Sequence, residues 1–389
     1  ARLVVILAEV SLWGAVQMLL VFLRSLARRD GSASARPLSQ NWRRRLGEKK
    51  SLLIGSFAAA AGSIWLLHRG ALPVIPPGDS LKEVPLYVAP LYALLFVIVS
   101  TCRAYRVTFL LRSLGRYSLR EVLSVSYVFF AALLILPVRL GELVRPALFA
   151  RREVEANEEK REGVSGWQIA GVVAAERLVD GLCASCILLI ALLSPRILPA
   201  EEMVELAPLV RPLAFSALAV FSAGFLLTSL FYLARERAQL WTRKALGIFS
   251  PRLAEFVART LLSIAEGLQF LSKPRDALPF FAWTFAYWFL NAGTIAILLE
   301  LCGIPGAGLV QAAAVLGVLS LGLMVPSAPG FFGTFQMSVY GGLALFLHPE
   351  VIETQGAVFV FLFYLVQVLT LLFLGGVGSL FLRTPQARS

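Results

Sequence analysis

The segment from Pro137 to Arg145 holds the first group of residues whose chemistry points to a function. Arg139 and Arg145 lie six residues apart beside Pro137 and Gly141, which both interrupt helices. Guanidinium groups bind phosphate through paired hydrogen bonds, and a broken helix offers free backbone N–H groups to the same anion. We therefore predict that Arg139 and Arg145 bind an anion, and that Glu142 orients an arginine or contacts a cationic group. The alternative is a loop whose basic residues only anchor the fold.

A second group of charges, Glu176, Arg177 and Asp180, lies near the start of an apolar run. Glu176 and Asp180 are four residues apart and share a helix face, and Arg177 precedes Asp180 by three. Two interpretations stay open and are compatible. The group either neutralises itself and ties its helix to Arg139 or Arg145, or it takes part in binding as the counter-charge of those arginines.

A third segment, from Pro326 to Gln336, has no charge but is broken by Pro329, Gly330 and Gly333. Glycine permits unusual backbone angles and close approach of a ligand to the main chain. Neutral hydrogen-bonding groups are offered by Ser327, Thr334 and Gln336. We predict that this segment lines a pathway that passes a polar group without holding it tightly.

The amino-acid composition indicates which kind of structural element must position these residues. Of the 389 residues, 58% are hydrophobic and 15% are charged, against roughly 45–50% and 25% in soluble domains. A mean hydropathy of +0.76 points the same way. A soluble enzyme, a disordered chain and a disulfide-rich secreted module are excluded, which leaves an all-α, polytopic helical membrane protein.

The net charge of +12 has a topological explanation. The basic residues lie in gaps between apolar runs, which predicts membrane sidedness and contact with lipid headgroups, not nucleic-acid binding. We predict no cofactor, no metal site and no catalytic residue. The C-x-x-C pair Cys183 and Cys186 has no second pair and no histidine nearby, so it is read as two small residues on a helix.

The gaps between the apolar runs predict a topology. Gap 24–50 has nine basic against two acidic residues, stretch 103–120 has five Arg and no acid, and gap 235–277 has eight basic against four acidic residues. The positive-inside rule places all three in the cytoplasm. A full crossing by 119–136 would put gap 235–277 outside, and this conflict disappears if 119–150 dips into the membrane from the cytoplasm and returns. The same arrangement, entering and leaving on the outside, is predicted for 308–347. The apolar runs are 3–23, 52–67, 86–111, 119–136, 167–194, 213–234, 278–301, 308–325, 331–347 and 356–382.

The order of these segments predicts an inverted repeat with two re-entrant, broken hairpins. The halves are residues about 50–194 and 213–382, one half being the other turned over. In transport folds, broken segments at matching positions mark the substrate site. Two ordinary helix pairs with kinks are the alternative.

Other segments receive simpler interpretations. Residues 1–42 are predicted to be an extra N-terminal membrane helix (3–23) with a basic linker, and 43–389 the transmembrane domain. Residues 254–271 have the spacing of an interfacial amphipathic helix. Arg103 and Arg106 end a span and are expected to reach toward lipid headgroups. A lipid-facing aromatic belt is expected of Trp283, Phe285, Tyr287, Trp288 and Phe289.

In five stretches that include the three groups described above, the chain resembles the transmembrane region of lysylphosphatidylglycerol synthases and related flippase-like proteins. The order and spacing of the matching stretches cover about residues 43–382. The stretches are 103–106 (RAYR), 119–121 (LRE), 136–145 (LPVRLGELVR), 176–180 (ERLVD) and 326–336 (PSAPGFFGTFQ). Many relatives carry Glu where this chain has Gln336. The synthase domain has no counterpart here, so the resemblance is to the membrane half only.

The resemblance implies a lipid flippase, not an enzyme, in a bacterial or archaeal cytoplasmic membrane. Its substrate would be a membrane phospholipid or a lipid-linked sugar, and a separate envelope-lipid synthase is a candidate partner. The oligomeric state stays open, a dimer included. Three other functions also stay open: a membrane-embedded transferase acting on a lipid phosphate, a secondary transporter of a small solute, and a non-transporting subunit of an envelope synthase.

Overall fold

The computed structural model describes residues 65, 72–115, 117–149, 166–194, 197, 207–233, 269–324 and 328–383. Every regular element in these ranges is helical. Several predicted segments lie outside the described residues: the helix 3–23 and the linker after it, the span 52–67 apart from Trp65, and the interfacial helix up to residue 268.

Eight long helices build the described part of the protein. They are α1 (Val88–Tyr105), α2 (Leu119–Ile135), α3 (Gly166–Leu193), α4 (Ala207–Leu233), α5 (Pro274–Leu301), α6 (Leu309–Gly322), α7 (Thr334–Leu343) and α8 (Ala357–Arg383). Each coincides with an apolar run of the sequence, so the predicted all-helical membrane architecture is confirmed at this level. A short helix, Val107–Leu111, continues α1 after a break at Arg106.

Within the described ranges, three segments are long and apolar enough to cross a membrane: Val88–Leu111, Pro274–Leu301 and Pro349–Leu382, with 24, 28 and 34 residues. The third begins with the short helix Pro349–Val351 and a π-helical turn, Ile352–Gly356, before α8. Helix α3 has 28 residues but carries Glu176, Arg177 and Asp180, which must be compensated inside the bundle.

The first predicted break lies where Pro137 follows α2. Leu136 has an extended backbone (φ −88°, ψ 127°) because a residue before proline disfavours the helical region. A 3₁₀ helix, Pro137–Leu143, follows and folds back on α2. A Cβ atom at Gly141 would lie 2.5 Å from the carbonyl oxygen of Ala132, so only glycine allows this return. We call α2, this first break and the helical residues 144–149 the first hairpin.

The second predicted break separates α6 from α7. It contains the 3₁₀ helix Pro329–Phe331, with Gly330 at φ +70° and Gly333 at φ +83°. The side chain of Gln336 accepts a hydrogen bond from the Gly333 N–H at 2.7 Å and so caps the start of α7. Helix α7 returns along α6, and we call α6, the second break and α7 the second hairpin. Residues 325–327 are outside the part of the chain that is described.

Helix α8 is the common axis of the two hairpins. Its first half packs on the second hairpin: Tyr364 donates a hydrogen bond to the Gly330 carbonyl at 3.1 Å. Its second half packs on α2, where Gly375 lies against Ala131. The hairpins therefore occupy opposite ends of α8, and Cα atoms of the two breaks come within 8 Å of each other.

The aromatic group on α5 is divided between two faces. Phe285 and Phe289 are exposed, at 66% and 67%, as expected for a lipid-facing belt. Tyr287 and Trp288 are buried in the bundle, so the prediction of a belt is wrong for these two. A helix of 3.6 residues per turn cannot direct five nearly consecutive side chains to one face.

We expect Gly375→Ala to destabilise the protein. The new Cβ would lie 2.3 Å from the Cβ of Ala131, and overpacking of this kind costs about 1–3 kcal/mol. The control is Gly376→Ala, because nothing lies within 4 Å of a Cβ at that position. Thermal unfolding in detergent should show a lower midpoint for the first variant alone. Equal midpoints would mean that α2 and α8 are not packed this closely.

Candidate functional site

A network of buried charges joins α1, α3 and the first hairpin. Arg106, at the break after α1, has no exposed surface. Its Nη1 and Nη2 atoms donate to the two carboxylate oxygens of Asp180, both at 2.7 Å, and Nη2 also donates to Glu176 at 2.9 Å. Paired hydrogen bonds between a guanidinium and a carboxylate are strong and directional. This contact fixes α1 against α3.

Glu176 connects this pair to the first hairpin. One of its oxygens accepts from Arg106, and the other accepts from Nη1 of Arg145. The guanidinium of Arg145 also lies over the ring of Phe129, 4.1 Å from its centroid, which is a cation–π contact. Both arginines are almost wholly buried.

A looser pair lies at the edge of the network. Arg177 Nε is 3.7 Å from an oxygen of Glu142, and the two side chains are 25% and 29% exposed. This distance exceeds that of a hydrogen bond. Arg177 therefore keeps much of its capacity to donate to another group.

Arg103, one turn before Arg106 on α1, has a different environment. Its guanidinium lies 5.1 Å from the ring centroid of Phe130 and 5.8 Å from that of Tyr287. Among the described residues it makes no ion pair. The described network thus contains four guanidinium groups and three carboxylates, and Arg103 is the cation without a carboxylate partner.

A cavity of about 170 Å³ opens beside this network, between α1, α2, α3, α5, α6, α8 and the second break. Arg103, Arg177 and Asp180 form its charged wall, and most of the remaining lining is apolar. Two buried polar side chains of α5, Trp288 and Asn291, also face it. Ligand sites commonly combine an apolar lining with a few convergent polar groups.

The comparison with protein families identifies the chain. The family model described as the lysylphosphatidylglycerol synthase TM region matches residues 51–375, which is most of the chain. The chain belongs to this family. The resemblance drawn from the sequence is thereby confirmed. No curated protein and no solved structure matches the chain.

In this member of the lysylphosphatidylglycerol synthase TM family, three predicted site residues line the cavity: Arg177, Asp180 and Gly330. Glu142, Arg145 and Glu176 belong to the charge network behind it. Pro329, Gly333 and Gln336 shape the second break. The backbone of Arg139 lies in the 3₁₀ helix of the first break, but its side chain and all of Pro326 fall outside the described part. A binding role for these residues stays a prediction.

The expectation that Arg106 reaches toward lipid headgroups is wrong, since it is buried and paired with two carboxylates. Sequence reasoning also missed Arg103, Trp288 and Asn291 as cavity residues. A signal for the two arginines was present: they lie inside the 24-residue span Val88–Leu111, not at its end. Charges within a span are costly unless compensated, so this position favours the protein interior.

We expect Arg106→Leu to destabilise the protein strongly. The change leaves Asp180 without its arginine and Glu176 with one partner fewer, and an uncompensated buried charge costs about 3–5 kcal/mol. Arg112→Leu is the control, because Arg112 is exposed at the end of Val107–Leu111. Thermal unfolding in detergent measures both.

The double variant Arg106→Leu/Asp180→Leu should recover part of the lost stability, because it removes one stranded carboxylate. If Arg106→Leu unfolds at the temperature of Arg112→Leu, the buried network does not hold the helices together.

Proposed function

We propose that this membrane protein translocates a phospholipid or a lipid-linked headgroup between leaflets, with the lipid phosphate bound by Arg103 and Arg177 in the cavity. The observation that carries the proposal is Arg103, a cation that faces the cavity and has no carboxylate partner among the described residues. We place the protein in a bacterial or archaeal cytoplasmic membrane.

The charge of the network supports an anionic ligand. A buried charge is tolerated when it is paired and hydrogen-bonded. Arg106 and Arg145 already have carboxylate partners. A phosphate would give Arg103 its counter-charge, and Arg177 could turn toward it from the long contact with Glu142. The network behind would keep both cations in place, which is the positioning role that we assign to Arg145, Glu176 and Arg106.

The size of the cavity supports a headgroup as its occupant. About 170 Å³ is close to the ~150 Å³ of an engineered protein cavity that holds a benzene molecule. A phosphate with a small headgroup fits this volume, whereas two acyl chains do not. In this proposal the chains remain in the bilayer while the headgroup passes through the protein.

The position of the breaks supports a route through the protein. The hairpins pack on opposite halves of α8, their breaks approach each other, and the second break lines the cavity. Since α8 belongs to a candidate span, we propose that the hairpins enter from opposite leaflets, as in an inverted repeat. Small movements of either break would then open the cavity to one leaflet at a time.

The hydrogen bonds that Asp180 and Glu176 already accept favour transport over group transfer. Both oxygens of Asp180 and both of Glu176 accept hydrogen bonds from arginines. Acid–base catalysis requires a group that can reach the reacting atoms of a substrate, and these four oxygens are already occupied by guanidinium groups. A transferase would need another proton donor.

We expect Arg103→Gln to reduce lipid transfer by about 10- to 100-fold while leaving the protein folded. Hydrogen bonds to charged groups contribute about 1.5–3 kcal/mol, and no buried carboxylate loses its partner. Transfer is measured with the purified full chain in liposomes that carry traces of lipids with a fluorescent acyl chain, by dithionite quenching of the outer leaflet.

Arg112→Gln serves as the control for this measurement, because Arg112 is also an arginine beside an aromatic ring but does not line the cavity. Wild-type protein that transfers no tested lipid faster than empty liposomes contradicts the proposed function. Equal transfer by wild type and Arg103→Gln contradicts the role of Arg103.

Cysteine labelling tests whether the two hairpins enter the membrane from opposite leaflets. In a variant whose four native cysteines are replaced by Ala, we expect His348→Cys to react with an impermeant maleimide on intact cells. Arg112→Cys should react only after lysis. These exposed positions flank the second and first hairpins, respectively. Labelling of both from one side would show that the hairpins do not enter from opposite leaflets.

A further inference from the structure

Two polar residues of α5 line the cavity, and each has a buried polar atom without a hydrogen-bond partner among the described residues. Trp288 and Asn291 are only 4% and 8% exposed. Trp288 Nε1 and Asn291 Oδ1 are both buried without a partner, and both residues line the cavity. Buried polar groups are nearly always hydrogen-bonded, because an unpaired one costs about 1–3 kcal/mol. An unpaired donor and an unpaired acceptor on two residues that line one cavity indicate a ligand that supplies both complements.

These side chains lie next to the proposed phosphate position. The ring of Tyr287 is 5.8 Å from the Arg103 guanidinium, so Tyr287 marks the level of that cation on α5. Trp288 is the next residue, and Asn291 is one helical turn further along the same helix. At 1.5 Å per residue, Asn291 lies about 6 Å beyond Tyr287 along the axis.

This separation matches the reach of a small headgroup. In glycerol and ethanolamine headgroups, two carbons join the phosphate ester oxygen to the next oxygen or nitrogen, a span of a few bond lengths. With a phosphate at Arg103, that atom would come close to Asn291. Trp288 lies between these two residues on α5, and its Nε1 can donate to a phosphate or ester oxygen, since indole is a donor only.

The acceptor at Asn291 decides the chemistry of the headgroup. An amide oxygen needs an O–H or N–H donor. Hydroxyl and primary ammonium groups supply one, whereas a trimethylammonium group has no such hydrogen. The carboxylate in the described cavity wall, Asp180, already accepts hydrogen bonds from Arg106 at both oxygens, so it offers choline little compensation.

We infer that Asn291 and Trp288 form a headgroup subsite that selects lipids whose headgroup carries a hydrogen-bond donor, such as glycerol, ethanolamine or sugar hydroxyl groups, over choline lipids. This inference rests on the proposed function, because it presumes that a lipid phosphate occupies Arg103.

Headgroup selectivity is the direct test. Purified full-length protein is placed in liposomes with traces of phosphatidylglycerol, phosphatidylethanolamine or phosphatidylcholine, each labelled on an acyl chain. Wild type should transfer the first two about 10-fold faster than phosphatidylcholine, the factor that corresponds to one hydrogen bond. Asn291→Leu should lower the first two rates to the rate of phosphatidylcholine. The rate of phosphatidylcholine itself should stay within twofold of its wild-type value. Asn291→Ser, which replaces the amide oxygen with a hydroxyl oxygen that can still accept a hydrogen bond, should retain most of the selectivity.

Phe289→Leu is the matched control, because Phe289 lies two residues before Asn291 on the exposed face of α5. It should change no rate. Equal transfer of the three lipids by wild type overturns the subsite and leaves the proposed function standing. A uniform fall of all three rates in Asn291→Leu also overturns it, since a purely structural role predicts that result. No transfer of any lipid by wild type overturns the proposed function itself. If Asn291→Leu fails to fold, the wild-type ratios and Asn291→Ser decide the question.

Discussion

The pairing of Arg106 with Asp180 and Glu176 is the interaction on which the rest of the structure depends. Charges in an apolar bundle are stable only when each has a partner and its hydrogen bonds are made. Arg106 satisfies this condition by joining α1 to α3, and Glu176 extends the connection to the first hairpin through Arg145. The network therefore sets the relative positions of the elements that surround the cavity.

The same constraint explains why the cavity is electropositive. The described cluster has one guanidinium more than it has carboxylates, and the cation without a carboxylate partner, Arg103, faces the cavity. Aromatic rings beneath Arg103 supply weak attraction, far less than a carboxylate would. The described wall of the cavity holds two arginines, Arg103 and Arg177, and one carboxylate, Asp180, which is already paired with Arg106.

Helix α8 adds a geometric condition to the electrostatic one. It carries the second hairpin on its first half and α2 on its second half, and glycines such as Gly375 and Gly378 bring the backbones of α8 and α2 close together. Close backbone approach through small residues is how helices pack where lipid removes the hydrophobic driving force. Irregular backbone inside a membrane protein needs protein or a cavity around its polar groups. Gly141 of the first break lies against Ala132 of α2, and Gly330 of the second break lines the cavity and accepts a hydrogen bond from Tyr364.

The amino-acid sequence by itself determined the helices, the two breaks and the family. Apolar runs of about 20 residues favour membrane helices over strands, and Pro137, Pro329 and Gly330 interrupt such runs for local reasons. It also singled out Glu176 and Asp180 as a counter-charge pair. Only the tertiary structure decided which arginine they hold: the partner of Asp180 is Arg106, 74 positions away in sequence. Arg103 and Arg106 lie one helical turn apart, so the placement of α3 beside the end of α1, which no local pattern encodes, decides which of the two is paired with carboxylates and which faces the cavity.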